Sequence, residues 1–327
     1  LAAEGRDETV RVGEITKVHC YGRFAIDALE ASTSSLGDRQ LVACRTESEF
    51  IAELDRIEAV LGIGMPVEDW SRAGRLRLIH LIGSGADSLL PARGLPTHVQ
   101  VANARGISAP AMAEFALSML LSLAKRLPGA LASQHAREWK RHHPRLISGA
   151  TLLVVGAGPV GRELARHARA LGMHVIGIRK SGAPCPEFDE MHETARFAEL
   201  AARADAIVMA VPATAQTHQM LNADILDRCT PNCLIINVSR GDVIDEEALS
   251  ARLHAGVLGG AALDVFQREP LPATSPLWDA PNTIITPHVS WSTPDYRSRV
   301  VDLFFTNIER VESGQPVINP VDHALGY

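Results

Sequence analysis

The chain has no disulfide framework. Its 327 residues include five cysteines, at positions 20, 44, 185, 229 and 233. They are an odd, scattered set in a chain long enough to bury its own core, so they read as reduced thiols of a cytoplasmic protein. The one close pair, Cys229 and Cys233, has neither a second pair nor a histidine cluster beside it, and no metal is expected. An excess of positive charge is also missing. With 32 Lys and Arg against 38 Asp and Glu the net charge is -6, which leaves no basic footprint for nucleic acid or an anionic membrane. The longest apolar run, around Phe115 to Ala124, falls short of the ~20 residues that a membrane span needs. Leu1 to Glu8 carry no apolar signal core, so secretion is not expected. A small-molecule partner is the class left standing.

At roughly 100 to 200 residues per domain, the length suggests two domains. Short β-rich runs alternate with helical patterns at Thr16 to Tyr21, Leu41 to Arg45, Ala59 to Ile63, Leu76 to Ile82 and His98 to Ala102, which predicts a parallel sheet flanked by helices. An apolar helix follows, with Ser108 as N-cap and Lys125-Arg126 before Pro128 as a basic last turn and stop. It is apolar on more than one face, so it is expected to be buried on two sides, between domains, at a dimer interface or in a core. A second series starts at Thr151, with strands Leu152 to Val155, His174 to Ile178, Ala206 to Ala210, Cys233 to Val238, Gly259 to Asp264 and Thr283 to Thr286. Six strands with helices between them suit a doubly wound sheet. Pro294 to Gly314 reads as one amphipathic helix with no sheet of its own.

Gly156-Ala157-Gly158-Pro159-Val160-Gly161 fits G-x-G-x-x-G, a weak pattern when alone. Its context strengthens it, because an apolar strand runs into it, a helix (Arg162 to Leu171) leaves it, and a second strand completes a βαβ unit that would seat a pyrophosphate on the helix N-terminus. The place after that second strand, where a carboxylate would accept from the ribose 2′-hydroxyl of NAD, holds Arg179-Lys180-Ser181. Cations there favour the 2′-phosphate of NADP, although they also read as surface residues after a strand. Downstream, Asn237-Val238-Ser239-Arg240-Gly241, Asp264 with Glu269, and Thr286-Pro287-His288 each follow a strand. Singly, a surface Arg, a surface Glu and a core His are the plainer readings. Together they occupy the strand ends of one dinucleotide-binding sheet, where ligands sit.

Taken in order, Ile82-Gly83-Ser84-Gly85-Ala86-Asp87, Val101-Ala102-Asn103, Ala113-Glu114-Phe115, the glycine fingerprint, Val211-Pro212 with Leu221-Asn222, Asn237 to Gly241, Leu263 to Phe266 with Glu269-Pro270-Leu271, and Thr286-Pro287-His288 resemble the D-isomer-specific 2-hydroxyacid dehydrogenases. Within that family the chain, with its ending Asn319 to Tyr327, is most similar to bacterial glyoxylate/hydroxypyruvate reductases. The resemblance implies two Rossmann-like doubly wound parallel-sheet α/β domains. One is a cofactor domain over 104–291; the other is a discontinuous substrate domain over 1–103 and 292–327, hinged to it. It implies that Arg240 binds the substrate carboxylate and polarises the carbonyl, that His288 is the acid/base with Glu269 as its partner, and that Asp264 contacts the nicotinamide amide. Gly83, Ser84 and Gly85 would present backbone N–H groups to the substrate. The cofactor, NADP by preference or NAD, would be held by Gly156, Gly158, Pro159, Val160, Gly161, Arg179, Lys180, Ser181, Val211, Pro212, Thr217, Val238, Ser239, Arg240, Asp264 and His288.

The chemistry of the residues agrees with this. Hydride delivery to a 2-oxo acid builds charge on the carbonyl oxygen, which a guanidinium stabilises and an imidazolium protonates. Trp291 and Met65 are candidates to shape the pocket, with core or hinge packing an equal explanation; Trp291 joins Arg240 and His288 in the substrate-binding set. The expected protein is a cytoplasmic homodimer, paired through the cofactor domain, that reduces a small 2-oxo acid. Two alternatives stay open: a non-catalytic NAD(P)-sensing protein of corepressor type, and a dehydrogenase of another small anion. The presence of Arg240, Glu269 and His288 weighs against the first.

Overall fold

The computed structural model describes residues 14–86, 89 and 92–322. Leu1 to Glu8, Asp87 and residues 323–327 of the family-like ending lie outside the described residues. The chain divides into two compact units, one formed by Leu1–Ile107 with Pro294–Tyr327 and the other by Ser108–Thr293.

The first unit carries β1 (Lys17–Tyr21), α1 (Arg23–Glu30), β2 (Gln40–Cys44), α2 (Glu47–Glu53), β3 (Ala59–Gly62), β4 (Leu78–Leu81) and β5 (Gln100–Asn103). The strands form one sheet in the order β2-β1-β3-β4-β5, with every pairing parallel. β3 and β4 are buried along their whole length, as a parallel sheet covered on both faces requires. Thr46 caps α2 in a reciprocal box with Glu49, which satisfies helix donors that would otherwise be unpaired. Met65 is 8% exposed and packs in this core.

The second unit begins with α3 (Ala109–Ala124) and α4 (Leu127–His135). It continues with β6 (Thr151–Val155), α5 (Pro159–Ala170), β7 (His174–Ile178), β8 (Glu190–His192), α6 (Phe197–Ala201), β9 (Ala206–Met209), α7 (Ala223–Leu226), β10 (Leu234–Asn237), α8 (Glu246–His254), β11 (Gly260–Leu263) and β12 (Thr283–Ile285). Its sheet runs β12-β11-β10-β9-β6-β7-β8, again all parallel. β6 is the first strand in sequence and lies between β7 and β9, which makes the β6/β9 boundary the topological switch point.

Three local expectations need correction. Ser108 precedes α3 but makes no side-chain cap bond; its hydroxyl turns to the Met112 sulfur, 3.4 Å away. Pro128 does not end the helical region, because it sits in the first turn of α4, where its missing N–H costs nothing. A seventh strand, β8, is half-buried at the sheet edge and has no apolar alternation to announce it. One face of α3, including Ala113, Ala116, Leu120 and Leu123, packs in a core with Leu164, Ala165 and Ala168 of α5, while Phe115, Leu117 and Leu121 are half-buried. Among the described residues no single helix is long and apolar enough to cross a membrane.

Helix α9 (Tyr296–Glu312) belongs to the first unit. Tyr296 donates to the Ile82 carbonyl at 2.6 Å, and Phe304, fully buried, meets the ring of His80 edge-on with centroids 5.7 Å apart. Buried Asn307 turns the chain back by bonding both backbone groups of Ile318, after which Val321 N donates to Val101 O at 2.9 Å.

His80 is enclosed on all sides. Burial pushes its imidazole down to about 4 from 6.5, against a smaller opposing contribution from the Leu81 backbone. Well above pH 6.5 the folded and unfolded chains both carry it neutral, so its ionisation does not affect stability there. As the pH falls toward 4, the unfolded chain takes up a proton that the folded chain refuses, and about 3 kcal/mol of stability drains away. The thermal midpoint should therefore drop between pH 7 and pH 5, and His80→Leu should reduce that drop; an equal drop in both proteins would place the acid sensitivity elsewhere.

Candidate active site

The candidate residues of the second unit lie on six loops that leave the carboxyl ends of β6, β7, β9, β10, β11 and β12. The first is the glycine turn. Gly156 has φ +112°, and a Cβ there would run into the carbonyl of Ala210, the residue after β9. At Gly161 a Cβ would strike the Gly156 carbonyl oxygen, so only glycine lets α5 come this close to its own strand. Gly158 caps α5 with extended backbone and faces open space. Pro159 follows at the first helical position, and the first turn carries no acidic side chain. This is a bare helix N-terminus behind a cradle that a side chain would fill, and it fits a pyrophosphate. Val160 is half-buried against the α3/α5 core.

After β7, Arg179 Nε donates to Ser181 Oγ at 2.9 Å, and Gly182 N closes the turn onto the Arg179 carbonyl at 3.1 Å. Lys180 is exposed. The loop after β9 holds Val211 and Pro212 and is closed by Thr217, whose hydroxyl donates to the Pro212 carbonyl at 2.6 Å and accepts from Thr214 N at 2.8 Å.

Asn237, the last residue of β10, is 1% exposed. Its Oδ1 accepts from Ser239 N and Oγ, and its Nδ2 donates to the Arg240 carbonyl at 2.9 Å. Val238 is buried at 2%. This brace leaves Arg240 extended and half-buried, with Nη1 donating to the Ser239 carbonyl at 2.8 Å. Gly241 follows, and a Cβ there would overlap the Phe266–Gln267 peptide. The turn that carries Arg240 is therefore seated against the segment that carries Glu269.

Glu269 Oε1 accepts from Phe266 N at 3.0 Å, and its Oε2 accepts from His288 Nδ1 at 2.8 Å. A carboxylate accepts only, so Nδ1 carries the proton and Nε2 is left for a reacting group. The pair is reachable, with side chains 37% and 39% exposed. His288 has φ +54°, a left-handed backbone that most residues avoid.

The explanation for that backbone is Asp264. Its Oδ1 accepts from Thr286 Oγ1 at 2.6 Å and from Val289 N at 2.9 Å, its Oδ2 accepts from Ser290 N at 2.9 Å, and its carbonyl accepts from His288 N. Trp291 adds an indole bond to the His288 carbonyl at 2.9 Å, so its N–H supports the loop. In the first unit, Gly83, Ser84 and Gly85 follow β4, and buried Asn103 braces that loop by donating to the Ser84 carbonyl at 2.8 Å. The bracing roles of Asn103 and Asn237 are not legible from the sequence beyond the presence of each Asn at a strand end. Among the described residues no group of three or more His, Cys, Asp or Glu could hold a metal ion, and all five cysteines are buried and outside any disulfide.

Residues 117–290 match the family model described as D-isomer specific 2-hydroxyacid dehydrogenase, NAD binding domain. That is more than half of the chain. The protein belongs to the D-isomer specific 2-hydroxyacid dehydrogenase family. It is similar to a glyoxylate reductase of Thermococcus gammatolerans, 29% identical over 276 residues that cover 82% of each chain. A solved family member from Aeromonas salmonicida is 32% identical, with a TM-score of 0.83 over 95% of this chain and 100% of that one. The NADPH-dependent glyoxylate/hydroxypyruvate reductase of Sinorhizobium meliloti, solved with NADP and sulfate, is 28% identical, with a TM-score of 0.85 over 95% and 100%. Family membership makes this chain an NAD(P)-dependent oxidoreductase with 2-hydroxyacid dehydrogenase activity.

The glycine geometry separates two effects that a sequence pattern merges. Gly158→Ala adds a methyl group to open space, so it should leave the thermal midpoint nearly unchanged while weakening NADPH binding about tenfold or more in a fluorescence titration. Gly161→Ala should lower both, because its methyl group meets the backbone. Equal binding by Gly158→Ala and wild type would remove the pyrophosphate from this turn.

Proposed function

We propose that this protein reduces a small 2-oxo acid of the glyoxylate or hydroxypyruvate type to the D-2-hydroxy acid, with NADPH as preferred cofactor. The Glu269–His288 bond at 2.8 Å carries the reading, because it points one imidazole nitrogen away from the carboxylate at the cofactor end of the sheet. The nicotinamide supplies the hydride. His288 Nε2 gives the proton to the carbonyl oxygen, and Glu269 favours the imidazolium that does so. Arg240 holds the substrate carboxylate and offsets the charge that grows on the oxygen. Gly83, Ser84 and Gly85 add backbone N–H groups for the carboxylate, which makes residues 1–103 with 292–327 the substrate-binding domain and 104–291 the cofactor domain; Trp291 borders the pocket. Asp264, with an acceptor position to spare, receives the nicotinamide amide. The glycine turn, Val211, Pro212, Thr217, Val238 and Ser239 hold the rest of the dinucleotide. Arg179, aligned by Ser181 and flanked by Lys180, takes the 2′-phosphate; the carboxylate that would repel it is missing.

Steady-state kinetics with glyoxylate and hydroxypyruvate test these roles. His288→Ala should lower kcat by about 10²-fold or more. Glu269→Gln should move the upper pH limit of reduction lower, since the imidazolium loses its partner. For Arg240→Ala the loss should appear in both KM and kcat. Arg179→Ala should lose kcat/KM selectively with NADPH, by roughly ten- to a hundredfold. Full activity in His288→Ala, or a wild-type preference for NADH, would reject the corresponding part.

The same reading makes the protein a cytoplasmic homodimer paired through the cofactor domain. α4 has no buried residue, and Leu131, Trp139 and Leu146 are 55%, 93% and 78% exposed, an apolar surface of the kind that marks association. Light scattering should give twice the chain mass for wild type and a lower mass for a Leu131→Ser, Trp139→Ser double variant; a monomeric wild type would reject the pairing.

A further inference from the structure

Glu246 opens α8 immediately after its N-cap. The capping task is already filled by Asp245, whose Oδ1 accepts from Ala248 N at 3.0 Å. Glu246 instead reaches out of its helix, and its Oε1 accepts from the Gln267 backbone N–H at 2.6 Å. Gln267 is held a second time through its side chain, which donates to the Ile244 carbonyl at 2.8 Å. From the other side, Gly241 is pressed against the Phe266–Gln267 peptide. Two residues along, Glu269 hangs from the same segment by the Phe266 N–H and receives His288. The carboxyl of Glu246 is half-buried, and burial pushes its pKa up against the lowering effect of the Gln267 bond, with smaller upward contributions from the charges of Asp242 and Glu269. A carboxyl drawn out of water toward two others is poorly explained as surface decoration, and its bond to the Gln267 N–H leads to the segment that carries Glu269.

We propose that Glu246 is a positioning residue for the proton-donating pair: through the Gln267 N–H it holds the segment that carries Glu269, and so the orientation of His288. The inference rests on the roles given to Glu269 and His288 above. A structural bond on the far side of a loop acts this way because displacing a reacting group by about 1 Å costs orders of magnitude in rate.

The test follows the titration of the His288 imidazole Cε1–H by NMR, assigned by its loss in His288→Asn, in wild type, Glu246→Gln and Glu246→Ala. The kcat for glyoxylate reduction with NADPH is measured in parallel. Glu246→Ala removes the acceptor, so the titration midpoint should fall by about half a unit and kcat by about tenfold, with the KM for NADPH unchanged. Glu246→Gln keeps an acceptor oxygen and should restore both readouts to near wild type. Unchanged titration and kcat in Glu246→Ala would overturn the proposal, as would Glu246→Gln falling as far as Glu246→Ala. The titration needs no turnover, so it separates this outcome from a failure of the reductase reading, which would show as full activity in His288→Ala.

Discussion

Asp264 is 1% exposed at the end of β11, and its two side-chain oxygens collect Thr286 Oγ1, Val289 N and Ser290 N. The backbone of the loop that carries His288 depends on this one group. A left-handed backbone at a histidine costs of order 1–3 kcal/mol. Hydrogen bonds to a carboxylate contribute about 1.5–3 kcal/mol each, so three of them outweigh the strain and hold His288 toward Glu269. The same bonds make the carboxylate tolerable in the core, because a buried charge without donors would be far more costly. Position and burial are thus solved by one arrangement.

A second constraint is how closely backbones approach at the strand ends. Gly156 lies against Ala210 of β9's end, Gly161 against Gly156, Gly241 against the Phe266–Gln267 peptide, and Gly260 against Asn282. These contacts link β6 to β9, β10 to β11 and β11 to β12, the neighbours in the sheet order. At the carboxyl ends the loops after β6 and β9, and those after β10 and β11, are therefore in close backbone contact, while the Gly260–Asn282 contact lies at the amino ends of β11 and β12. A Cβ at any of these glycines would meet a neighbouring backbone carbonyl or peptide, which leaves few ways for one segment to move without the next.

Both sheets use the same device to fix a loop. The last residue of β5 and the last residue of β10 are buried asparagines, Asn103 and Asn237, and each amide reaches the carbonyl of a residue in a candidate-site loop, Ser84 in one case and Arg240 in the other. An amide suits this place because it donates and accepts at once.

Much of this was legible in the order of residues. Strands β1 to β7 and β9 to β12 announce themselves by short apolar runs between turns, the helix after the glycine turn by its period, and the cofactor class by the fingerprint with its flanking strands, because each of these signals is local. Other features depended on partners far along the chain. β8 carries charged and half-buried residues, so only pairing with β7 makes it a strand. Pro128 looks like a stop when read locally and is the first turn of α4 in the fold. Nothing near His288 foretells its left-handed backbone, because Asp264, 24 positions earlier, enforces it. The sequence by itself determined which groups stand at the strand ends. The tertiary structure decided how they are aimed, since orientation is set by hydrogen bonds and close contacts between loops that only the sheet order brings side by side.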